Sequence, residues 1–202
     1  FDFDGTLADG LKAMVKCFNL VAKKYAYPTI KTPQIAALKE LGAKAVFKEL
    51  KIPLLKLAKI IAETKKEFKK EIPRLQLIKP WGKTLNSLKK QGCRLGILSS
   101  NNQDNIQLFL KNRHLDQFDF VTCESDIFGK DRALVKLLKK LGLKKEEVLY
   151  VGDEIRDIEA CQKAGIRIVA VDWGFNSRPA LQSSHPDYLI SQPQDLLKIL
   201  TS

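Results

Sequence analysis

Phe1-Asp2-Phe3-Asp4-Gly5-Thr6-Leu7 opens the chain, and Val148-Leu149-Tyr150-Val151-Gly152-Asp153-Glu154-Ile155-Arg156-Asp157 repeats its logic far downstream. In each, a short apolar run ends in an aspartate beside a glycine. Successive strand side chains alternate between faces, so Asp2 and Asp4, two positions apart, point to the same side. Gly5 lets the chain turn sharply while its backbone stays open to whatever those carboxylates bind. Asp-Gly is also an ordinary turn dipeptide. The second acidic cluster, again at a strand end and again followed by a helix, predicts one shared site.

Between these two stretches, Arg94-Leu95-Gly96-Ile97-Leu98-Ser99-Ser100-Asn101 reads as a strand ending in hydroxyl and amide groups, and Phe128-Gly129-Lys130 leads into another helix. After Trp81 the apolar runs 95–98, 118–121, 148–151 and 166–171 are short, rich in branched or aromatic residues, and separated by helical segments. That alternation implies right-handed βαβ units and a parallel sheet. Residues 1–3 add a strand, 188–190 a short further one, and 196–200 a closing helix.

Residues 11–72 differ, carrying helical patterns and no convincing strand. Pro28, Pro33, Pro53 and Pro73 divide them into about four helices. In one, Leu54, Leu57, Ala58, Ile61 and Ala62 recur at helical spacing, with Lys56, Lys59, Glu63 and Lys66 on the other face. The expected fold is α/β: a Rossmann-like parallel sheet with helices on both faces, built from 1–10 and 79–202, with an inserted helical cap over 11–78.

The chain resembles the haloacid dehalogenase superfamily of phosphotransferases over essentially its whole length. Four signatures match in order: DxDGT at Asp2 to Thr6, the strand-final serine at Ser99, the lysine at Lys130, and GDxxxD at Asp153 and Asp157. The stretch around Lys130 lacks the proline-containing context common around the family's lysine. The resemblance implies that the first strand is central, so that Asp2, Asp4, Ser99 and Asp153 converge on one crevice beyond the strands' carboxyl ends. The cap would lie over it.

Phosphoryl transfer needs a nucleophile, neutralisation of the phosphoryl oxygens and an acid for the leaving group. With the resemblance, Asp2 is the expected nucleophile, forming an aspartyl-phosphate, and Asp4 the acid and then the base. A carboxylate approaching a phosphate dianion is repelled, by about 4 kcal/mol per pair of unit charges at 4 Å and an effective dielectric near 20. Mg²⁺, a hard ion that prefers oxygen ligands, is therefore the expected cofactor, held by Asp2, Asp153, Asp157 and the Asp4 carbonyl, with Glu154 a candidate for its outer shell. Lys130 is expected to meet both the phosphoryl group and Asp2. The Ser99 hydroxyl and backbone N–H groups of Ser100 and Asn101, at a helix start, would bind phosphoryl oxygens, and the family analogy adds Gly5 and Thr6. Asp9 is expected to cap the first helix of the insert. Lys39 or Lys44 could reach a substrate's distal group, although surface positions suit both.

Dehalogenases lack the second acid, so Asp4 argues against dehalogenation. The helical insert, the segment Leu38-Lys39-Glu40-Leu41-Gly42 and Val171-Asp172-Trp173-Gly174 look like phosphoglycolate-phosphatase-type members. The expected activity is hydrolysis of a small phosphorylated metabolite, phosphoglycolate being the best single candidate. A sugar phosphomutase would share every core residue. A noncatalytic, nucleic-acid-associated protein is the competing class, suggested by the formal net charge of +12.

That charge has two readings, solvated lysine-rich helix faces or an anion-attracting field. No nucleic-acid motif or interleaved aromatic stripe accompanies it, so nucleic acid is not an expected partner. Cys17, Cys93, Cys123 and Cys161 form no CxxC pair and offer neither a zinc site nor a disulfide framework. The 202 residues can bury a real core. The longest apolar stretches are strand-sized, so a membrane partner is not expected and the cytoplasm is the expected location. The opening at Phe1, without an initiator Met, predicts that residues precede it. Oligomeric state is not legible.

Overall fold

The computed structural model describes residues 1–124 and 129–201; Phe128, quoted above, lies outside them. Strand β1 (Gly96–Ser99) pairs in parallel with β2 (Phe120–Cys123), and β3 (Leu149–Gly152) pairs in parallel with β4 (Arg167–Val171), which pairs with β5 (Tyr188–Ile190). The chain's first residues join the two sets. Phe1 donates its amine to Gly96 O at 2.8 Å and accepts from Leu98 N at 2.9 Å, while Asp2 N donates to Val151 O at 2.8 Å. The resulting order is β2, β1, residues 1–3, β3, β4, β5. Strand order therefore reverses at residues 1–3, where an open parallel sheet places its crevice.

Residues 1–3 do not complete a strand as expected. Their ladder stops after Asp2, because Gly5 N–H donates to Ala8 O at 3.0 Å and the chain has already turned. The other expected strands are present, most shifted by one or two residues toward the C-terminus.

Side-chain alternation along the strands builds a core on each face of the sheet. Ile97, Val151, Val169 and Val171 pack on one side with α5 (Trp81–Lys90), α6 (Gln103–Asn112) and α10 (Asp195–Thr201). Leu98, Tyr150, Ile168 and Ala170 pack on the other with α7 (Lys130–Leu141), α8 (Ile155–Ala164) and α9 (Arg178–Ser183). Strands apolar on both faces are what parallel sheets require.

Before β1 come α1 (Leu11–Lys24), α2 (Gln34–Lys39), α3 (Ala43–Glu49) and α4 (Leu54–Lys69). Phe18, Val21, Ala22, Leu50, Ile52 and Ile60 form their shared core. The apolar face anticipated for α4 is only partly the buried one. Leu57 and Ile61 are half-buried, but Ala58 and Ala62 are exposed, Leu54 is 85 % exposed, and the buried stripe is Ile60, Thr64 and Phe68. This stripe spans two cores: Ile60 packs among the helices and Phe68 against the sheet's core. Two separate packing partners, rather than one apolar face, decide the orientation. Asp9 does not cap α1 either; Gly10 holds that position, and Asp9 N–H donates to Gln76 O at 2.9 Å.

Candidate active site

Asp153 leaves β3 into a pocket with no room to spare. A Cβ on Gly5 would stand 2.2 Å from Asp153 Oδ2, and one on Gly174 2.1 Å from the same atom. Gly5 also has φ +82°, a backbone that side chains disfavour. Glycine at both positions lets two loops close round the carboxylate. Thr6 then donates its hydroxyl to Asp153 Oδ1 at 2.6 Å, and Phe175 N–H donates to Oδ2 at 2.7 Å. The expectation that Gly5 offers an N–H to a ligand is not met, since that group serves the turn to Ala8.

Asp157, in the first turn of α8, accepts from Glu154 N–H at 3.1 Å and so closes that helix end. Its other oxygen accepts from Lys130 Nζ, which also donates to Asp2 Oδ2 at 2.9 Å. Lys130 opens α7 as its first residue, one position later than the pre-helix placement expected, and is 5 % exposed. Asp2 Oδ1 accepts from Phe3 N–H at 2.8 Å. Asp2, Asp153 and Asp157 each present an oxygen within 4.8 Å of the others.

Burial and mutual repulsion set the protonation pattern. Burial alone would raise Asp2, but Lys130 and Arg156, with hydrogen bonds from Lys130 and Phe3, bring it below the ordinary aspartate value. Asp4 is raised to about 7, first by burial and then by the charge of Asp2. Burial lifts Asp157 to about 6, against the opposing pull of Lys130. Asp153 is pushed well above its ordinary value by burial, then by Glu154, Asp2 and Asp157. Burial works against the Lys130 ammonium, yet Asp157 and Asp2 together raise it well above an ordinary lysine. A hard divalent cation suits this donor set, because all the donors are oxygens and their spacing is on the scale of one ion's shell, about 4.2 Å across for Mg²⁺.

Ser99 ends β1 buried, and its hydroxyl accepts from Asn101 N–H at 3.1 Å. The helix start expected at Ser100 and Asn101 comes later: Asn102 caps α6, its side chain accepting from Asp104 N–H at 2.8 Å. Asn101 instead folds back, and its Nδ2 donates to Asp4 Oδ2 at 2.8 Å. Asp4 Oδ1 is buried without a hydrogen-bond partner.

Residues 1–171 match the family model described as haloacid dehalogenase-like hydrolase. The chain belongs to the haloacid dehalogenase-like hydrolase family. This hydrolase stands with the family's phosphatases. It is 36 % identical over 202 residues to a phosphoglycolate phosphatase of Synechococcus elongatus, covering 100 % of this chain and 95 % of that one. It is 37 % identical over 115 residues to the pyrophosphatase PpaX of Bacillus mycoides, 55 % of this chain and 54 % of that protein. A haloacid dehalogenase-like family hydrolase from Streptococcus pneumoniae superposes with TM-score 0.83 at 22 % identity, covering 99 % of this chain and 96 % of that one, a likeness of fold.

A cavity of ≈ 250 Å³ adjoins the hydrolase's carboxylates. Asp4, Ser100, Asn101, Glu154 and Arg156 line it from the sheet's end, and α1, α3 and α4 supply most of the remainder. Lys39 borders it, its carbonyl tied down by Asn176 Nδ2 at 2.9 Å and Ser177 N at 3.0 Å; Lys44 is exposed and does not line it. Lys65 Nζ donates to Ser100 O at 2.8 Å. Burial and the charge of Arg156 hold this ammonium below its ordinary value, against the pull of Asp4. Glu154, expected near a metal's outer shell, forms an ion pair with Arg156.

Sequence reasoning gave no role to Arg156, Thr64 or Lys65, nor to the Asn101 side chain. Arg156 had a usable signal, since it lies inside the second acidic motif. Lys65 and Thr64 had none, because a lysine and a threonine on an amphipathic helix look like its solvated edge.

Proposed function

We propose that this hydrolase is a Mg²⁺-dependent phosphatase that cleaves small phosphate monoesters through an aspartyl-phosphate on Asp2, with phosphoglycolate as the reference substrate. The observation that carries the proposal is the different setting of two neighbouring carboxyls: Lys130 Nζ donates to Asp2 Oδ2 at 2.9 Å and Asn101 Nδ2 to Asp4 Oδ2 at 2.8 Å, so that Asp2 is held below the ordinary aspartate value while Asp4 is raised to about 7. Environments that push a pair apart assign the nucleophile and the acid.

Asp2 attacks phosphorus as the P–O bond to the alcohol breaks, and the alcohol oxygen takes the proton carried by Asp4. Asp4, now ionised, removes a proton from the water that attacks phosphorus in the aspartyl-phosphate. Phosphate leaves, Asp2 is regenerated and Asp4 is again protonated. Lys130 keeps Asp2 oriented and offsets charge on the phosphoryl oxygens. Ser99 accepts from Asn101 N–H at 3.1 Å, which takes that N–H out of the expected set of phosphoryl donors and leaves the Ser99 hydroxyl proton available to a phosphoryl oxygen, beside the backbone N–H groups of Ser100 and Thr6. Asn101 Nδ2 orients Asp4. When bound by Asp2, Asp153, Asp157 and the Asp4 carbonyl, Mg²⁺ supplies the positive charge that lets a carboxylate approach a phosphate dianion.

We assign residues 11–78 as a cap over a core of 1–10 and 79–202. Support comes from the cavity they share and from the ties of Asn176 to Lys39 O and of Lys65 to Ser100 O. Among the described residues no helix is long and apolar enough to cross a membrane, and all four cysteines are free, which supports a reducing, cytoplasmic setting.

The test is release of inorganic phosphate from phosphoglycolate by the full chain with Mg²⁺. Trapping of labelled phosphate on Asp2 supports the mechanism. A phosphorylated isomer as the product points to a mutase instead. No turnover of any monoester overturns the reading.

A further inference from the structure

Hydrocarbon makes up most of the cavity wall, with Val15, Phe18, Phe47, Ile60 and Phe68 among its lining residues. Among the polar residues that interrupt it are two consecutive residues of α4, Thr64 and Lys65. Thr64 is 7 % exposed, and its hydroxyl has no hydrogen-bond partner. A helical threonine ordinarily bonds a carbonyl one turn back, so a hydroxyl that lines a cavity and makes no such bond is available to a ligand. Lys65 is fastened over the loop of Ser99 and Asn101 by its bond to Ser100 O at 2.8 Å, and an ammonium has further donors to offer. A hydroxyl donor beside an ammonium suits one small anionic group on the substrate. Glu154 on the same cavity is paired with Arg156, and the two neighbouring donors of Thr64 and Lys65 match the two oxygens of a carboxylate. At about 30 Å³ per water-sized group, a cavity of ≈ 250 Å³ is larger than the two-carbon acid of phosphoglycolate fills.

We propose that this cavity is the leaving-group subsite, in which Thr64 and Lys65 bind the carboxylate of the departing alcohol, and that the substrate is the phosphate monoester of a 2-hydroxy acid with an apolar substituent lying against the hydrocarbon walls. The inference rests on the phosphatase reading and deepens it. The bond broken is the ester P–O bond, the departing alcohol takes the Asp4 proton, and the carboxylate is unchanged.

The experiment measures kcat and KM of the full chain with Mg²⁺ on phosphoglycolate, phospholactate and phosphorylated phenyllactate, with phenyl phosphate as an ester that has no carboxylate. Expected is a rise in kcat/KM of about fourfold per methylene accommodated, equivalent to about 0.8 kcal/mol, placing the phenyllactate ester at least tenfold above phosphoglycolate. Thr64→Val and Lys65→Met should each raise KM at least tenfold more on the acid-bearing esters than on phenyl phosphate. Thr64→Ser, which keeps the hydroxyl, should restore the wild-type pattern. Thr64→Val is nearly isosteric, and a thermal melt near that of the wild type shows that it has folded. A series that is flat or falls with substituent size overturns the subsite, as does equal loss on all four esters. Failure of the wild type to hydrolyse any of them overturns the phosphatase reading itself.

Discussion

Four charged groups at the sheet's carboxyl edge and the threonine on the wall of helix α4 are held in different ways. At the edge, Asp2, Asp153, Asp157 and Lys130 are buried and tied to one another or to backbone N–H groups. Along α4, Thr64 is also buried, but its hydroxyl is without a partner, in a cavity whose walls are mostly hydrocarbon. A fully bonded network holds its members in one geometry, which in-line displacement at phosphorus needs. A wall with few fixed polar contacts suits discrimination among leaving groups. On the proposed reading, the contrast separates chemistry, seated in the sheet, from selection, seated in the helices.

Replacing Asp2 by Asn tests the chemical half most severely. The amide keeps the shape but removes the proposed nucleophile, and kcat on an aryl phosphate should fall at least about 10³-fold. A circular dichroism spectrum like that of the wild type would show an intact fold. Residual turnover within tenfold of the wild type would break the assignment.

Chelation addresses the same edge. Activity should vanish in chelator and return with Mg²⁺, and the ion should raise the melting temperature, since a ligand at a hundredfold excess over its Kd adds about 2.7 kcal/mol. Asp153→Ala should lose that metal-dependent shift. A shift that survives would place the ion elsewhere.

Asp4 sharpens the comparison through pH. Its folded value of about 7 lies above the unfolded 3.8, so between these pH values the folded state binds the extra proton and stability falls as pH rises. Metal-free Asp4→Asn should therefore melt above the wild type at pH 8, by an amount worth about 1–3 kcal/mol after allowance for partial exposure, and equal it near pH 3. Its activity should nonetheless drop about 10²–10⁴-fold. Equal melting temperatures at pH 8 would remove the strained-acid account.

Asp119 is the ordinary carboxylate for contrast and carries the smallest effect. Lys89 and the Leu95 N–H hold it below its ordinary value. Its contribution is therefore present above about pH 4 and lost as pH falls through the folded value, opposite in sign to Asp4. Asp119→Asn should cost about 1 kcal/mol or less at pH 7 in a denaturant titration, and the difference should vanish in strong acid. A larger penalty at low pH would reverse the sign.

Much of this was legible before any coordinates. The apolar runs ending in Asp153 and Ser99, and the isolated pair Asp2 and Asp4, announce a parallel sheet with acids on its edge, because strand periodicity and glycine turns are local properties. Other features were misread for reasons just as physical. The start of α6 depends on whether Asn101 or Asn102 caps it, and Asn101 is drawn away by Asp4, a residue distant in sequence. The buried stripe of α4 follows from serving two cores, whereas an amphipathic pattern assumes one.

Residue order by itself settled the α/β class, the helical insert and the candidate acids, since each is written in short-range spacing and side-chain chemistry. Tertiary packing alone decided that Lys130 bridges Asp2 and Asp157, that burial and the charge of Asp2 raise Asp4 to about 7, and that Thr64 and Lys65 border the cavity. Charge interactions and burial depend on distance through space, and folding brings these side chains together from segments the chain keeps far apart.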